Sequence, residues 1–429
     1  MTATETHRTI EAVWRIESAK LIAGLTRIVR DVGLAEDLAQ DALVAALERW
    51  PETGIPDKPA AWLMATAKHR AIDHFRRSKR VDQKHAELGH SLEAGQDAGP
   101  DLDSVIDDPI GDDLLRLIFM TCHPLLSTEA RVALTLRLLG GLTTAEIARA
   151  FLVPEPTIAQ RIVRAKRTLT EGGVAFEVPR GTELRARLSS VLEVIYLVFN
   201  EGYSATAGED WIRPQLCEEA LRLGRILAGL IPDEPEVHGL VALMEIQASR
   251  LRARTGPAGE PVLLLDQDRS RWDQLLIRRG LAALARAEAI GEYAGPYTVQ
   301  AAIAACHATA RTPEETDWSR IAELYAVLTE HAPSPVVELN RAVAVGMADG
   351  PAAGLEIVDR LRSEPALKTY HLLPAVRADL LGKLGRLEEA KEEFERAASL
   401  TRNARERDLL LERAAATENP NAALPERVQ

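Results

Sequence analysis

The stretch that decides the fold runs from Leu142 to Leu169 and reads LTTAEIARAFLVPEPTIAQRIVRAKRTL. It predicts two short helices joined by a tight turn at residues 152–154. Thr143 can cap the first helix, because Glu146 three positions later completes a capping box. Pro156 falls in the first turn of the second helix, where a missing N–H costs no intrahelical bond. The pattern indicates a helix-turn-helix.

Each of these helices has an apolar face. It consists of Ile147, Ala148 and Phe151 in the first helix, and of Ile158, Ile162, Ala165 and Leu169 in the second. The opposite face of the second helix comprises Thr157, Gln160, Arg161, Arg164 and Arg167. Such a face suits a DNA major groove, since Arg can bind guanine in bidentate fashion and Gln can pair with adenine. An ordinary amphipathic hairpin with a solvated basic face fits the same residues.

Composition limits the classes of protein to consider. A length of 429 residues predicts about two to four domains. Aromatic residues make up only 4% of the chain, and Ala, Leu, Arg and Glu are abundant, which predicts an all-α fold. The net charge of -12 argues against a general nucleic-acid coat protein. Any DNA binding is therefore expected on local basic patches.

The cysteines and the N-terminal stretch predict a cytoplasmic protein. Cys122, Cys217 and Cys306 lie far apart with no CxxC pair, which argues against a disulfide framework and for a reducing compartment. The N-terminal stretch lacks the apolar core of a signal peptide. No apolar run is long enough to cross a bilayer, so we expect no membrane association.

Residues 8–80 read as a module of three helices. The second helix, Leu34 to Trp50, has a polar acidic face that comprises Glu36, Asp37, Gln40 and Asp41. A loop rich in Pro and Gly follows at Pro51 to Asp57. The third helix is predicted from Pro59 to about Arg80, and its second half is basic through Lys68, Arg70, Arg76, Arg77, Lys79 and Arg80. Each cation that neutralises a phosphate adds about 0.9 to the salt slope of duplex binding. Complementing the helix dipole is an alternative that explains one or two of these cations.

The segments LAEDLAQDALVAALERW (residues 34–50) and AWLMATAKHRAIDHFRRSKR (residues 61–80) resemble region two of the sigma-70 family, in its extracytoplasmic-function (ECF) branch. The helix-turn-helix resembles region four of the same proteins. The resemblance implies a core polymerase-binding surface formed by Asp37, Gln40 and Asp41. It implies that the downstream promoter element is melted and held by Lys68, His69, Arg70, Arg76, Arg77, Lys79 and Arg80. It implies that the upstream promoter element is read by Thr157, Gln160, Arg161, Arg164 and Arg167.

The chain departs from the family pattern at a few positions. His69 stands where Asn is usual, and Leu152 replaces the customary turn Gly. Pro154 and Pro156 replace small residues. The loop Pro51 to Asp57 is implied to capture a flipped base, which costs a few kcal/mol of unstacking. The departures leave open which bases are read.

The resemblance also predicts the domain layout. Region 2 occupies residues 8–80 and region 4 residues 113–173, joined by an acidic flexible linker at 81–112. Residues 180–429 form a helical extension with tetratricopeptide (TPR)-like spacing at Trp318, Ile321, Ala322 and Tyr325, at Ala342, Val345, Gly354, Val358 and Leu361, and at Ala378, Leu381, Ala390, Phe394 and Ala397. With the Asn-Glu-Gly-Tyr segment at residues 200–203, this resembles a group of ECF sigma factors whose extension is thought to control activity.

Two polar clusters remain in the extension. Residues 266–273 begin like a calcium loop, but Arg271 and Ile277 occupy the positions that need Gly and Glu, so a network of Arg–Asp bonds is expected instead. Tyr297, Gln300 and His307 lack a nucleophile–base arrangement, and His307 is expected to be packed rather than catalytic.

The predicted function is that of a sigma factor that performs no covalent chemistry and needs no metal or cofactor. Its expected partners are core RNA polymerase and promoter DNA. The repeats are expected to bind an unidentified regulator or the sigma domains in cis. The alternatives are a DNA-binding regulator that acts without polymerase, and a TPR-type interaction scaffold.

Overall fold

The computed structural model describes residues 3–88, 110–151, 153–205, 207–208, 211–257, 259–291 and 294–418. The chain divides into two compact units, Met1–Ile195 and Tyr196–Gln429, with the boundary inside one long helix. Nearly all regular structure is helical, as the composition predicts. None of the described helices is both long and apolar enough to pass through a lipid bilayer.

The first unit begins with three long helices: α1 (Ala3–Val29), α2 (Val32–Thr53) and α3 (Pro59–Leu88). Arg30 adopts a left-handed φ of 56°, and Asp31 then caps α2 by accepting a bond from the Leu34 amide at 2.7 Å. Trp50 is fully buried and meets Trp62 edge to face at 5.3 Å between ring centroids. Helix α3 continues to Leu88, beyond the predicted end at Arg80. Residues 89–109, most of the predicted linker, lie outside the described part.

The rest of the first unit comprises α4 (Ile110–Thr121), α5 (Thr128–Leu138), α6 (Thr144–Ala150), α7 (Glu155–Glu171) and the first part of α8 (Gly181–Tyr203). The predicted helix-turn-helix is confirmed as α6 and α7. The Thr143 amide donates to Glu146 at 2.7 Å and the Glu146 amide donates to Thr143 Oγ1 at 3.1 Å, which is the predicted capping box. Pro156 lies in the first turn of α7.

Polar bonds join α8 to the support helices of the helix-turn-helix. Arg187 donates to the Phe119 carbonyl at 3.0 Å, and Ser190 donates to the Cys122 carbonyl at 2.7 Å. Arg131 of α5 donates to Ser190 and pairs with Glu193 at 3.2 Å. The bonds from Arg187 and Ser190 satisfy carbonyls at the end of α4, where helical partners run out.

The second unit contains the end of α8 and the helices α9 (Pro214–Leu230), α10 (Pro235–Ala248), α11 (Gln274–Ile290), α12 (Pro296–Thr309), α13 (Trp318–His331), α14 (Pro335–Ala348), α15 (Pro351–Leu361), α16 (Leu372–Lys383), α17 (Leu387–Leu400) and α18 (Ala404–Glu418). From α12 onward each helix packs on the next one in the chain. Between α14 and α15 the backbones nearly touch, since a Cβ at Gly354 would lie 2.6 Å from the Ala342 carbonyl oxygen.

Two short strands, β1 (Ala207–Gly208) and β2 (Arg402–Asn403), pair in parallel within this unit. The Asn403 side chain is fully buried and donates to the Ala205 carbonyl at 3.1 Å. The pairing therefore ties the beginning of the second unit to its last helical pair.

The expected Arg–Asp network at residues 266–273 is wrong. Asp268 accepts bonds from the amide and hydroxyl of Ser270, at 2.9 and 2.6 Å, and Asp273 caps α11. Arg269 donates to the carbonyls of His307 and Ala310, each at 2.7 Å. Local capping bonds satisfy these carboxylates before any arginine does.

Candidate nucleic-acid interface

Helix α7 presents the predicted upstream-reading residues on one face. Ile158, Ile162, Ala165 and Leu169 are buried on the opposite face, as predicted. Thr157, Gln160, Arg164 and Arg167 are exposed, whereas Arg161 is half-buried. Four of the five predicted side chains are therefore exposed to solvent, and one of them, Arg167, lies 3.4 Å from the exposed Glu171 carboxylate.

A shallow groove of about 380 Å³ runs beside this face, between α7 and the start of α5. Thr157, Gln160, Arg161 and Arg164 line one wall. Near it lies Glu129, whose pKa is lowered by backbone and Ser127 hydrogen bonds and, more weakly, by the Arg161 charge. This ionised carboxylate beside a basic face was not singled out from the sequence, because it belongs to a different helix.

Helix α3 holds the predicted downstream-binding residues. His69 and Arg76 are exposed, and Lys68 and Arg70 are half-buried. The side chains of the remaining predicted cations, Arg77, Lys79 and Arg80, lie outside the described part of the chain.

Arg70 also has a partner in the predicted polymerase-binding surface. Its guanidinium lies 3.0 Å from Asp41 Oδ2, and both side chains are substantially exposed. The structure therefore brings the α3 basic face and the α2 acidic face side by side. An exposed pair of this kind contributes roughly 0–1 kcal/mol, so DNA or protein can compete for either member.

The acidic face of α2 is divided between solvent and the interior. Asp37 and Asp41 are exposed, and Gln40 is half-buried and donates to Glu36 Oε1 at 2.6 Å. Glu36 itself is only 3% exposed, so its predicted place on the solvent face is wrong.

The buried Glu36 carboxylate joins three helices. Arg137 Nε of α5 lies 2.6 Å from Glu36 Oε1, and Lys166 of α7 pairs with Glu36 Oε2. A further bond runs from Thr170 Oγ1 to Asp31 Oδ2 at 3.2 Å. The helix-turn-helix is thus docked against α2. We call Glu36, Arg137 and Lys166 the Glu36 hub.

A second buried carboxylate joins the same two halves of the first unit. Asp113 of α4 pairs with Arg27 of α1 at 3.0 Å and with Arg116 at 2.7 Å. A buried carboxylate needs such cations, because desolvation would otherwise favour its neutral form. The docking of the two halves therefore depends on charge as well as apolar contact.

Within the described residues, no group of three or more His, Cys, Asp or Glu side chains is placed to hold a metal ion. Cys122, beside His123, is buried, and its Sγ lies 3.4 Å from Thr135 Oγ1. Burial raises the pKa of the Cys122 thiol, so it remains protonated and packs as a small apolar group.

Comparison with known families and proteins matches these regions in order. The family model described as Sigma-70 region 2 matches residues 17–81, and Sigma-70, region 4 matches residues 116–169. A family of unknown function, DUF6596, matches residues 187–288. The TPR-like character of the extension therefore stays a prediction.

Among curated proteins, the uncharacterized protein R00370 of Rhizobium meliloti is 42% identical over 397 residues, which covers 90% of each chain. The probable RNA polymerase sigma-C factor of Mycobacterium bovis is 30% identical over 141 residues, 32% of this chain and 70% of the relative. The probable ECF RNA polymerase sigma factor SigI of Mycobacterium tuberculosis is 29% identical over 176 residues, 40% of this chain and 58% of the relative. The two matched sigma-70 regions and the two relatives named as sigma factors indicate the same family, and the chain therefore belongs to the ECF RNA polymerase sigma factors of the sigma-70 family.

Proposed function

We propose that this protein directs core RNA polymerase to promoters and helps to open the duplex, without covalent chemistry of its own. The observation that carries the proposal is the presence of basic faces on two separate helices, α3 and α7, each within a matched sigma region. Both faces carry several cations although the chain as a whole has a net charge of -12, so DNA binding would be local to these faces. Such work is done in the cytoplasm, where we place the protein.

The polymerase contact in this proposal is the exposed part of the α2 acidic face. Asp37 and Asp41 point to solvent, and Gln40 is positioned between them by its bond to the buried Glu36. Exposed negative charges attract a positively charged surface of a partner and guide its approach. We propose that this surface docks on a basic region of core polymerase.

DNA binding divides between the two basic faces. The residues of α7 are suited to base edges, because Arg164 and Gln160 are exposed next to each other on a rigid helix. The cations of α3 are suited to phosphates of an opened strand. We propose that α7 reads the upstream promoter element and that α3 holds the downstream element.

The second unit is proposed to control this activity. Its consecutive packed helices and the close approach at Gly354 support a TPR-like stack, in which each pair covers the apolar face of its neighbour. We propose that the stack binds a regulator or the sigma regions in cis. Removal of the stack should raise transcription if the stack inhibits and lower it if the stack activates.

The test is reconstituted transcription with sigma-free core polymerase, the full chain and a library of promoters. We expect initiation at a subset of sites, and a changed level when residues 204–429 are removed, a truncation that keeps α8 and its bonds to the first unit. Asp37→Lys should abolish co-purification with core polymerase, while Glu48→Lys, at another exposed carboxylate of α2, should retain it. Duplex binding by the chain without any polymerase association would favour a regulator that acts alone.

Sequence reading is tested by Arg164→Ala. The substitution should weaken the binding free energy for promoter DNA by roughly 1–3 kcal/mol and relax the sequence preference at one base position. Arg185→Ala, at an exposed arginine of α8, is the matched control and should leave promoter choice unchanged. If no promoter in the library is initiated, with or without the second unit, the proposed function is wrong.

A further inference from the structure

A cavity of about 260 Å³ lies inside the second unit, between α8, α10, α12, α13 and α14. Its polar lining includes Gln247, Arg250, Gln300, His307 and Asn340, and leucine, isoleucine and valine side chains form the apolar wall. None of the described residues that line it is Asp or Glu, although the chain as a whole has a net charge of -12. A concave apolar site with a few convergent polar groups is the usual form of a small-ligand pocket.

Arg250 is the charged group of this cavity. The residue is only 8% exposed, and its Nε has no hydrogen-bond partner among the described residues. In the described part of the chain no carboxylate lies within ion-pair distance of its guanidinium. The guanidinium sits 5.8 Å from the ring centroids of both Tyr203 and Trp272. Aromatic faces attract a cation, but they do not neutralise it as an anion would.

Two further arginines add positive potential around Arg250. Arg254 donates to the Tyr203 carbonyl at 3.0 Å, and Arg269 donates to backbone carbonyls as described above. Burial lowers the pKa of both guanidinium groups, and the Arg250 charge lowers each further. Glu314 and Glu315 act on Arg269 in the opposite direction, but less strongly than Arg250 does. Three guanidinium groups therefore share one interior region, with neutral carbonyls as the acceptors for two of them.

His307 supplies the second open polar atom of the cavity. The residue is 8% exposed, and no atom in the described part of the chain forms a hydrogen bond with its Nδ1. Burial and the charges of Arg250 and Arg269 lower the pKa of His307 to about 4, so the imidazole is neutral at pH 7. Gln300, by contrast, is already occupied, because it accepts from Tyr196 at 3.0 Å and donates to the Pro296 carbonyl at 3.2 Å.

We propose that this cavity binds a small organic carboxylate, with the carboxylate on the Arg250 guanidinium and the hydrocarbon part against the apolar wall. A planar guanidinium matches the two oxygens of a carboxylate in a bidentate pair. One guanidinium and a neutral imidazole suit a monoanion better than a phosphate dianion. The volume lies just below the range of drug-sized pockets, which limits the ligand to a compact molecule.

The experiment is calorimetric titration of the full chain with four monocarboxylates: sodium butyrate, 4-methylpentanoate, benzoate and 2-oxobutanoate. Inorganic phosphate and sodium chloride at matched ionic strength are the comparison anions. At least one carboxylate should bind saturably and raise the thermal midpoint of the second unit, because a ligand stabilises the state that it binds. Arg250→Gln should weaken that binding at least tenfold. Arg252→Gln, at an exposed arginine two residues away, should leave it unchanged.

Saturable binding that survives Arg250→Gln would overturn the proposal, as would tighter binding of phosphate than of any carboxylate. The absence of saturable binding by all four carboxylates would overturn it as well. If Arg250→Gln does not fold, Arg250→Lys keeps the charge but not the planar pair, and should weaken binding measurably. The measurement needs no polymerase or promoter, so its failure is distinct from failure of the proposed function.

Discussion

Among the buried charged side chains of this protein, Glu36 in the first unit and Arg250 in the second have opposite kinds of surroundings. Glu36 in the first unit is 3% exposed and has an arginine and a lysine from two other helices against it. Arg250 in the second unit is 8% exposed and has aromatic rings instead of a carboxylate. The first charge has its counterions within its own unit, whereas the second faces a cavity.

The difference distinguishes a charge that holds helices together from a charge available to a ligand. Burying an ion costs several kcal/mol, which is repaid only where an opposite charge and good hydrogen bonds are present. At the Glu36 hub, Arg137 of α5 and Lys166 of α7 offset this desolvation cost. At Arg250 no anion in the described part of the free protein offsets it. Substitutions at these two sites should therefore change the free energy of unfolding by clearly different amounts.

The largest effect is expected from Glu36→Gln. The change leaves Arg137 and Lys166 without their shared carboxylate, at side-chain exposures of 22% and 18%. Removing one partner of a buried pair costs about 3 kcal/mol. Amide hydrogen exchange in α5 and α7 should show protection reduced by that amount. Glu48→Gln, at an exposed carboxylate of the same helix, should stay within about 0.5 kcal/mol. Equal protection in the two variants would show that apolar contact alone holds the helix-turn-helix on α2.

A smaller effect is expected from acid, through His307. Its folded-state pKa of about 4 lies below the ordinary value of 6.5, so the unfolded chain binds the proton first. This contribution to stability is complete above pH 6.5 and is lost as the pH falls towards 4, by about 2 kcal/mol at pH 5. Stability can be followed by amide hydrogen exchange in α12. In the His307→Gln variant this stability should fall less between pH 7 and pH 5 than it does in the unsubstituted chain.

The control for this prediction is His331→Gln, since His331 is exposed at the end of α13. It should leave the acid sensitivity as it is in the unsubstituted chain. An NMR titration that places the His307 pKa near 6.5 would contradict the assignment. A bound carboxylate should raise that pKa, because it brings a negative charge near the imidazole.

The smallest effect is expected from Arg250→Met in the free protein. The substitution loses the contacts with Tyr203 and Trp272, but it also removes a buried cation that lacks an anion. The two changes offset each other to within about 1 kcal/mol. Urea unfolding followed through the second unit should therefore show a much smaller loss than Glu36→Gln gives in the first unit. A loss above 3 kcal/mol would make Arg250 a structural cation and weaken the comparison.

Local features were predictable from the sequence. The capping box at Thr143 and Glu146, the proline in the first turn of α7 and the buried face of that helix are all set by neighbours a few residues apart. The same local pattern predicted that Thr157, Gln160 and Arg164 are exposed. Local periodicity is enough in such cases, because the partner lies within two helical turns.

Long-range features were not predictable in this way. Glu36 lies among the polar residues of α2 in the sequence, but its partners are far along the chain, at Arg137 and Lys166. Arg250 and His307 likewise meet only through the folding of α10 against α12.

The end of α3 was misplaced for another reason. Residues 81–88 are charged, which resembled a linker, but they contain no Gly or Pro to stop the helix before Gly89.

The pairing of β1 with β2 has a consequence for how the protein is made. Asn403 must reach Ala205 before the second unit is closed, so nearly the whole chain has to be synthesised first. The first unit is complete at Ile195 and can fold on the ribosome well before then. At about 5–20 residues per second, the interval is on the order of ten seconds or more. During each round of translation, the folded sigma regions therefore exist for a time before the second unit of the same chain has folded.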